Sequence, residues 1–305
     1  MDTPRPTRFH SAAVRPWMAL ALALGLAGIL VGAWQWRRSR MQPVVEEPDP
    51  RLIFPTPYRN VHPDVHYVGD AACVGCHRDI AQSYARHPMG RSLAPLAEAA
   101  PVERLDGNAS NPFEAFGLLH RVERRDQRMI HSERRLSADG QPLATSEVEI
   151  DFILGSGARG RSYLINNGGR LFQSSASWYV SNQKWALPPG YESHDRHFDR
   201  PVTPECLSCH ANRVNAVQHS VNAYRTPIFE GYAIGCERCH GPGELHVATS
   251  DKLDIVNPRN LASSLRDSVC EQCHLSGEGR ILRHGRQLED FRPGLPLHLF
   301  WAVFV

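Results

Sequence analysis

The chain has 305 residues, 42% of them hydrophobic and 22% charged, a balance that excludes a disordered polyelectrolyte and suits a folded core. Its 34 basic and 32 acidic residues leave a formal net charge of +2, and only Lys184 and Lys252 among the basic ones are lysine. Arginine is interspersed with acids and forms no basic block, so no nucleic-acid partner is expected.

The first element in chain order is an apolar run. Between Arg15 and Arg37 lies PWMALALALGLAGILVGAWQW, uncharged over about 20 residues, the length of a membrane-crossing helix. Trp17, Trp34 and Trp36 flank it, as interfacial aromatics do. The expectation is a cytoplasmic tail and transmembrane anchor over residues 1–40; the competing reading is a signal peptide cleaved after Ala33. Arg5, Arg8 and Arg15 face Arg37, Arg38 and Arg40, so charge does not orient it. Residues 41–66, rich in proline, read as an extended tether.

Residues 67–115 form a first motif-bearing segment, in which Ile80, Tyr84 and His87 share one helical face and residues 95–112 read as loop. Residues 116–190 read as a strand-rich insertion, an antiparallel sheet of four to six strands. Val148, Ile150, Phe152 and Leu154 alternate, Asp139-Gly140 marks a turn and Asn167-Gly168 a hairpin. Tyr163, Phe172, Trp178, Tyr179 and Trp185 suit its core, with a docking face as the alternative use. Residues 191–305 are polar and histidine-dense, with one clear helix capped by Asn260 that places Leu261, Leu265 and Val269 on one side.

All eight cysteines fall into C-x-x-C pairs, and a histidine follows each pair at once. The pairs are Cys73/Cys76, Cys206/Cys209, Cys236/Cys239 and Cys270/Cys273; the histidines are His77, His210, His240 and His274. C-x-x-C-H is the attachment sequence of c-type haem. Two thiols three residues apart reach neighbouring vinyl groups of one porphyrin, and the next residue projects its imidazole at the iron. Structural zinc is the rival, two pairs per Cys₄ site, but it gives the four histidines no role. Redox-active disulfides are a further rival. The expected cofactor is therefore haem c, four per chain, covalently bound. Such attachment takes place outside the cytoplasmic membrane, which puts the N-terminus inside and the haem segments on the periplasmic side.

An electron-carrying iron takes a second axial ligand. His246 leads the distal candidates, because Gly241 and Gly243 in CHGPGELH turn the chain away from one haem toward another. His87 follows the first motif by ten residues, and His197, with His194 as competitor, precedes the second. His219, His66 and His284 compete for any remaining vacancy, and Met89 is a methionine alternative. His120 and His131 lie in strand-like runs and read as ordinary side chains. Eight propionates would take the net charge from +2 to about −6. Arg196, Arg200, Arg213 and Arg238 stand near motifs as forked partners for them.

The runs YVGDAACVGCH, HPMGRSL, GSGARGRSYL, DRPVTPECLSCHANRVN, GCERCHGPGELH, VCEQCHLSGEGRIL and DFRPGLPLHLF together resemble the cytochrome c-552/c-554 type of multihaem cytochromes. They are most similar to the subgroup often fused to tetratricopeptide repeats, although no such repeats follow here. The resemblance spans about residues 67–305. It implies an α+β multihaem cytochrome c fold, with haem-organised short helices and loops around the inserted antiparallel sheet. It also implies haems in close stacked or perpendicular pairs, and one relative keeps a five-coordinate iron. The expected function is a periplasmic, membrane-anchored tetrahaem cytochrome relaying electrons between redox partner proteins. Two alternatives stand: a multihaem enzyme whose open-site haem acts on a small nitrogen or oxygen compound, and a quinol dehydrogenase of the NapC/NirT kind.

Overall fold

The computed structural model describes residues 16–40, 47–275 and 277–304. Arg5, Arg8, Arg15 and residues 41–46 of the proline-rich run lie outside them. The chain divides into two units at the Glu47–Pro48 junction.

The first unit contains helix α1 (Pro16–Arg40), a leucine- and alanine-rich run with no internal proline to break it. Leu20, Leu24, Ile29, Leu30, Trp34 and Trp36 on it are exposed. Counting only the described residues, no helix is long and apolar enough to cross a membrane.

The second unit mixes short helices with antiparallel sheets. Its helices are α2 (Pro50–Ile53), α3 (Asp70–Val74), α4 (Arg78–Tyr84), α5 (Pro204–Ser208), α6 (Glu237–His240), α7 (Glu244–Thr249) and α8 (Ser263–His274). A four-stranded sheet runs β2 (Phe113–Ala115), β3 (Leu118–Arg125), β4 (Arg128–Leu136), β5 (Pro142–Glu149) in that spatial order. A seven-stranded sheet has the path β1 (Leu93–Pro95), β6 (Phe152–Leu154), β7 (Gly160–Asn167), β8 (Arg170–Gln173), β11 (Arg200–Pro201). From β7 it branches into β9 (Ser177–Tyr179) and β10 (Lys184–Ala186). Two ribbons complete it, β12 (Val214–Ala216) with β13 (Tyr224–Phe229) and β14 (Gly279–Leu282) with β15 (Trp301–Phe304).

The alternation from Val148 to Leu154 serves two sheets. The chain leaves β5 at Glu149 and enters the seven-stranded sheet at Phe152, with Ile150 N–H still bonded to Met129 and Asp151 N–H already bonded to Leu164. The β7–β8 hairpin turns on Gly168 and Gly169, both at positive φ, one residue later than the expected Asn167-Gly168. Between the sheets lies a core of Val122, Met129, Ile150, Ile153, Tyr163, Trp178 and Trp185, so these aromatics are buried inside it. The buried Arg161–Glu103 pair, at 2.8 Å, fastens the preceding loop onto β7, and the Tyr163 hydroxyl donates to the same carboxylate.

A second core joins this region to the second motif: Leu93, Leu164, Leu171, Val202, Leu207 and Phe229 pack together, and Leu207 lies between Cys206 and Cys209. A third core, of Val61, Val256, Val269, Phe291, Leu295, Phe300 and Trp301, underlies the C-terminal segment. Within the apolar run at the C-terminal end Leu297, Phe300 and Trp301 are buried, and Trp301–Phe304 is paired as β15 with Phe304 itself exposed.

Val61 in that third core marks a correction. Residues 48–66 are not an extended tether: Phe54, Tyr58 and Val61 pack with it, Arg51 pairs with Asp290, and Arg59 with Asp251 and Asp254. Proline starts helix α2 at its first position, where no N–H is needed, and thus signals a folded start as readily as an extended run. Helix α8 begins at Ser263, after a short 3-10 turn over Pro258–Asn260 that takes up the expected Asn260 cap.

Candidate functional site

The four C-x-x-C-H motifs lie on helices too short to hold a conformation alone, so tertiary contacts must place them. The first spans α3 and the start of α4, the second α5, the third α6, and the fourth the end of α8. Glu237, buried inside the third motif, does much of the placing. Its Oε1 accepts from the N–H groups of Val68 and Gly243 and its Oε2 from Gly69, so one carboxylate pins the third motif and its following turn to the segment that enters the first. Asp70 closes the same joint by accepting from Cys236 N–H at 2.9 Å.

The turn HGPG needs its glycine. Gly241 caps α6 at φ 76°, and Asn60 donates to the carbonyls of His240 and Pro242 on either side of it. The chain thus reverses into α7, which carries His246.

The outcome is a close pairing of imidazoles. The rings of His77 and His246 lie 6.4 Å apart between centres with planes 12° apart. Two imidazoles on opposite faces of one iron, with metal–nitrogen bonds of about 2 Å, have ring centres roughly 6.3 Å apart. His246 Nδ1 bonds the Asp251 carbonyl at 2.9 Å, and His240 Nδ1 the Val256 carbonyl at 2.8 Å. In both, Nδ1–H is the donor and Nε2 keeps its lone pair, the tautomer a metal ligand needs.

Cysteines pair across motifs. Cys236 lies beside Cys73, and their interaction lowers the Cys73 pKa and raises that of Cys236. Likewise Cys273, whose Sγ donates to Ser208 O, lies beside Cys209 and holds it down at about 5, with Ser208 and Arg280 adding to the effect against burial. The first motif therefore abuts the third and the second abuts the fourth. Arg238 links the pairs: its Nη2 donates to Ser208 O, and Gln272 Nε2 donates to its carbonyl.

Around this joint sits a cluster of guanidinium groups. Arg213 and Arg292 stack on Tyr67, and Arg280 on Trp301 at 4.0 Å. Among the described residues, Nε of Arg213, Arg238, Arg280 and Arg292 and Nη1 of Arg292 are buried without a hydrogen-bond partner. Orphaned donors of this kind cost about 1–3 kcal/mol each, and propionate carboxylates would satisfy them. With the imidazole spacing and paired thiols, these residues fit covalently held haem. Arg213 and Arg238 stand where the sequence suggested; Arg200 instead donates to Pro189 O. Arg280, Arg292, Glu237 and Asp70 were missed, and only the acid within C-E-R-C was a usable signal.

The other distal candidates are dispersed. His87 stacks on Tyr84 and accepts the Met89 N–H on Nδ1. His219 is exposed at φ 61° in the β12–β13 connection. His197 bonds Glu133 through Nδ1 at 2.7 Å, away from the motifs' own contacts. His66 bonds Glu244, His194 bonds Ser193, and His284 is exposed. His120 and His131 are fully buried between the sheets, and burial drives the His131 pKa down to about 3.

Residues 176–241, which include the second and third motifs, match the protein family described as cytochrome c554 and c-prime. Two solved structures are similar over 78% of the chain. One is the outer cell wall cytochrome OcwA, at 18% identity and TM-score 0.46, with 44% of its length covered. The other is an undecahaem cytochrome from the S-layer of Carboxydothermus ferrireducens, at 21% identity and TM-score 0.34, with 28% covered. The chain thus spans less than half of either. No curated protein matches it. The C-x-x-C-H motifs and the family match over two of them identify the chain as a multihaem c-type cytochrome.

Proposed function

We propose that the chain is a tetrahaem electron relay on the periplasmic side of the cytoplasmic membrane, attached to the membrane surface through the exposed apolar side chains of α1. Cys73, Cys76, Cys206, Cys209, Cys236, Cys239, Cys270 and Cys273 are its thioether anchors and His77, His210, His240 and His274 its proximal ligands. His246 is the distal ligand of the first haem. The observation that carries this is the 6.4 Å spacing and near-parallel planes of His77 and His246, from motifs far apart in sequence. Bound haem supplies the redox-active iron. The chain's own residues space the attachment points, hold imidazole tautomers through backbone carbonyls and meet negative charge with arginine. The thiol contacts between first and third and between second and fourth motifs, joined through Arg238, support a continuous path for electrons between partner proteins. Exposed Leu20, Leu24, Leu26, Ile29 and Leu30 on α1 support the anchor.

Quinol oxidation is the second reading. It gains from the folded residues 48–66, which leave far fewer residues between α1 and the haem-bearing unit than a tether over residues 41–66 would.

The test is low-temperature EPR of the oxidised, haem-loaded protein with a pyridine haemochrome count. Four haems per chain, with one turning high-spin in His246→Ala while the count stays unchanged, is the expected result. An unaltered low-spin spectrum in that variant would remove His246 from the iron.

A further inference from the structure

Strands β3 and β4 pair His120 directly with Glu133, so both side chains enter the seam between the two sheets. Seams of this kind are normally apolar. Here His120 is 0% and Glu133 4% exposed, and Asp195 reaches in with a side chain only 7% exposed. His197 closes the outer side.

The buried groups are not satisfied by one another. His120 Nε2, Glu133 Oε1 and Asp195 Oδ2 are all buried without a hydrogen-bond partner among the described residues. Their ion pairs run only to each other and to His197: His120 Nδ1 lies 3.8 Å from Glu133 Oε1, His120 Nε2 3.9 Å from Asp195 Oδ2, and His197 Nδ1 3.6 Å from Asp195 Oδ2. A buried carboxylate pair with imidazoles as its only ionic partners is short of positive charge, and the desolvation cost per ion is several kcal/mol.

We propose that Glu133, Asp195 and His197, with buried His120 as a further donor, hold one non-haem divalent transition-metal ion in this seam. Donor atoms of the first three residues all lie within 4.8 Å of one another. Around a tetrahedral ion with bonds of about 2.0–2.2 Å, donors sit roughly 3.3–3.6 Å apart, which the 3.6 Å between His197 Nδ1 and Asp195 Oδ2 matches, while Glu133 Oε2 lies closer to His197, at 2.7 Å. The donor set of two imidazoles and two carboxylates suits zinc, manganese or ferrous iron better than calcium, which takes oxygen alone. The ion takes the place of the Nδ1 proton that bridges His197 to Glu133; from a neutral ring that proton moves to Nε2, and from a doubly protonated ring one proton leaves to solvent. Glu133 and His120 are held from opposite strands of one sheet, and Phe113 stacks on the His120 ring at 4.8 Å, which fixes its orientation.

The test uses the haem-loaded, untagged chain. Metal content by inductively coupled plasma mass spectrometry, set against the pyridine haemochrome count, should show one divalent ion per chain beyond haem iron. After chelation, Zn²⁺ alone, followed by isothermal titration calorimetry, should refill one site per chain. In Asp195→Asn, which keeps the size of the side chain and removes its charge, that site should weaken by about tenfold or more. Glu133→Gln should abolish it; where that variant fails to fold, Asp195→Asn carries the test. Haem count and low-spin EPR should be unchanged in His197→Ala. Zn²⁺ binding that is equal in wild type and Asp195→Asn would overturn the proposal, as would no ion beyond haem iron and no Zn²⁺ uptake. A haem turning high-spin in His197→Ala would also overturn it, by assigning that imidazole to a haem.

Discussion

The strand-rich region and the motif-bearing region solve the problem of stability differently. Between the sheets Trp178, Trp185 and Tyr163 are essentially without solvent contact, and protein side chains alone fill the space. Around the motifs the helices are four to twelve residues long, His77, His210 and His274 are exposed, and several guanidinium nitrogens lack partners. The first region is filled by its own side chains everywhere but at the Glu133–Asp195 cluster; the second is completed by its cofactor. A covalent prosthetic group therefore acts there as a core residue would, and folding free energy depends on its presence.

The sharpest way to break that comparison is to remove one haem. The double variant Cys236→Ser/Cys239→Ser should lose one haem per chain and most amide protection over residues 48–87 and 235–275, with β3–β10 still protected in hydrogen-exchange mass spectrometry. Equal loss in both regions would mean that the sheets too depend on haem. Trp185→Ala is the converse: it opens a core cavity and forfeits the indole bond to Arg104 O, costing about 3–5 kcal/mol, and should leave the haem count unchanged. Differential denaturation followed by fluorescence and haem absorbance checks it.

Arg161→Met is next. Burial pushes the Glu103 carboxyl up, but the Arg161 guanidinium and the Val102 N–H outweigh it and hold the group below its usual range. Without Arg161 the carboxylate is stranded, and a loss of about 3 kcal/mol is expected in urea titration, recovered in part by Glu103→Gln. The smallest effect is pH-dependent. His131 is held neutral with its pKa at about 3, below the unfolded value of 6.5. Its contribution is thus fully present above pH 6.5 and is lost as pH falls toward 3. Between pH 7 and pH 5 the sheets should lose about 2 kcal/mol, and His131→Gln should flatten that slope in urea melts.

The attachment chemistry was legible in the sequence because thiol spacing and the adjacent histidine are local requirements. So was the core use of Tyr163, Trp178 and Trp185, which stand in strand-like runs where large aromatics suit a sheet interior. Less local features were not. One alternating run from Val148 to Leu154 gave no sign that it crosses from one sheet to another, since inward residues look alike in both. Val61 and Tyr58 are too sparse to advertise a buried segment among prolines. Glu237 resembles any surface acid until its three N–H partners, which precede or follow it at distances unrelated to any period, are brought together. His120 and Glu133 meet only because the hairpin register makes them opposite.

The thiol contacts have a consequence for biosynthesis. Cys73 meets Cys236, and Cys209 meets Cys273, across motifs rather than within them. In an oxidising compartment, a chain that folded before ligation would bring together the sulfurs most prone to wrong cross-links. Each such bond would cost two haems an anchor at once. In such a compartment, maturation of this architecture would need a set order, with every thiol reduced and capped by porphyrin before the chain closes.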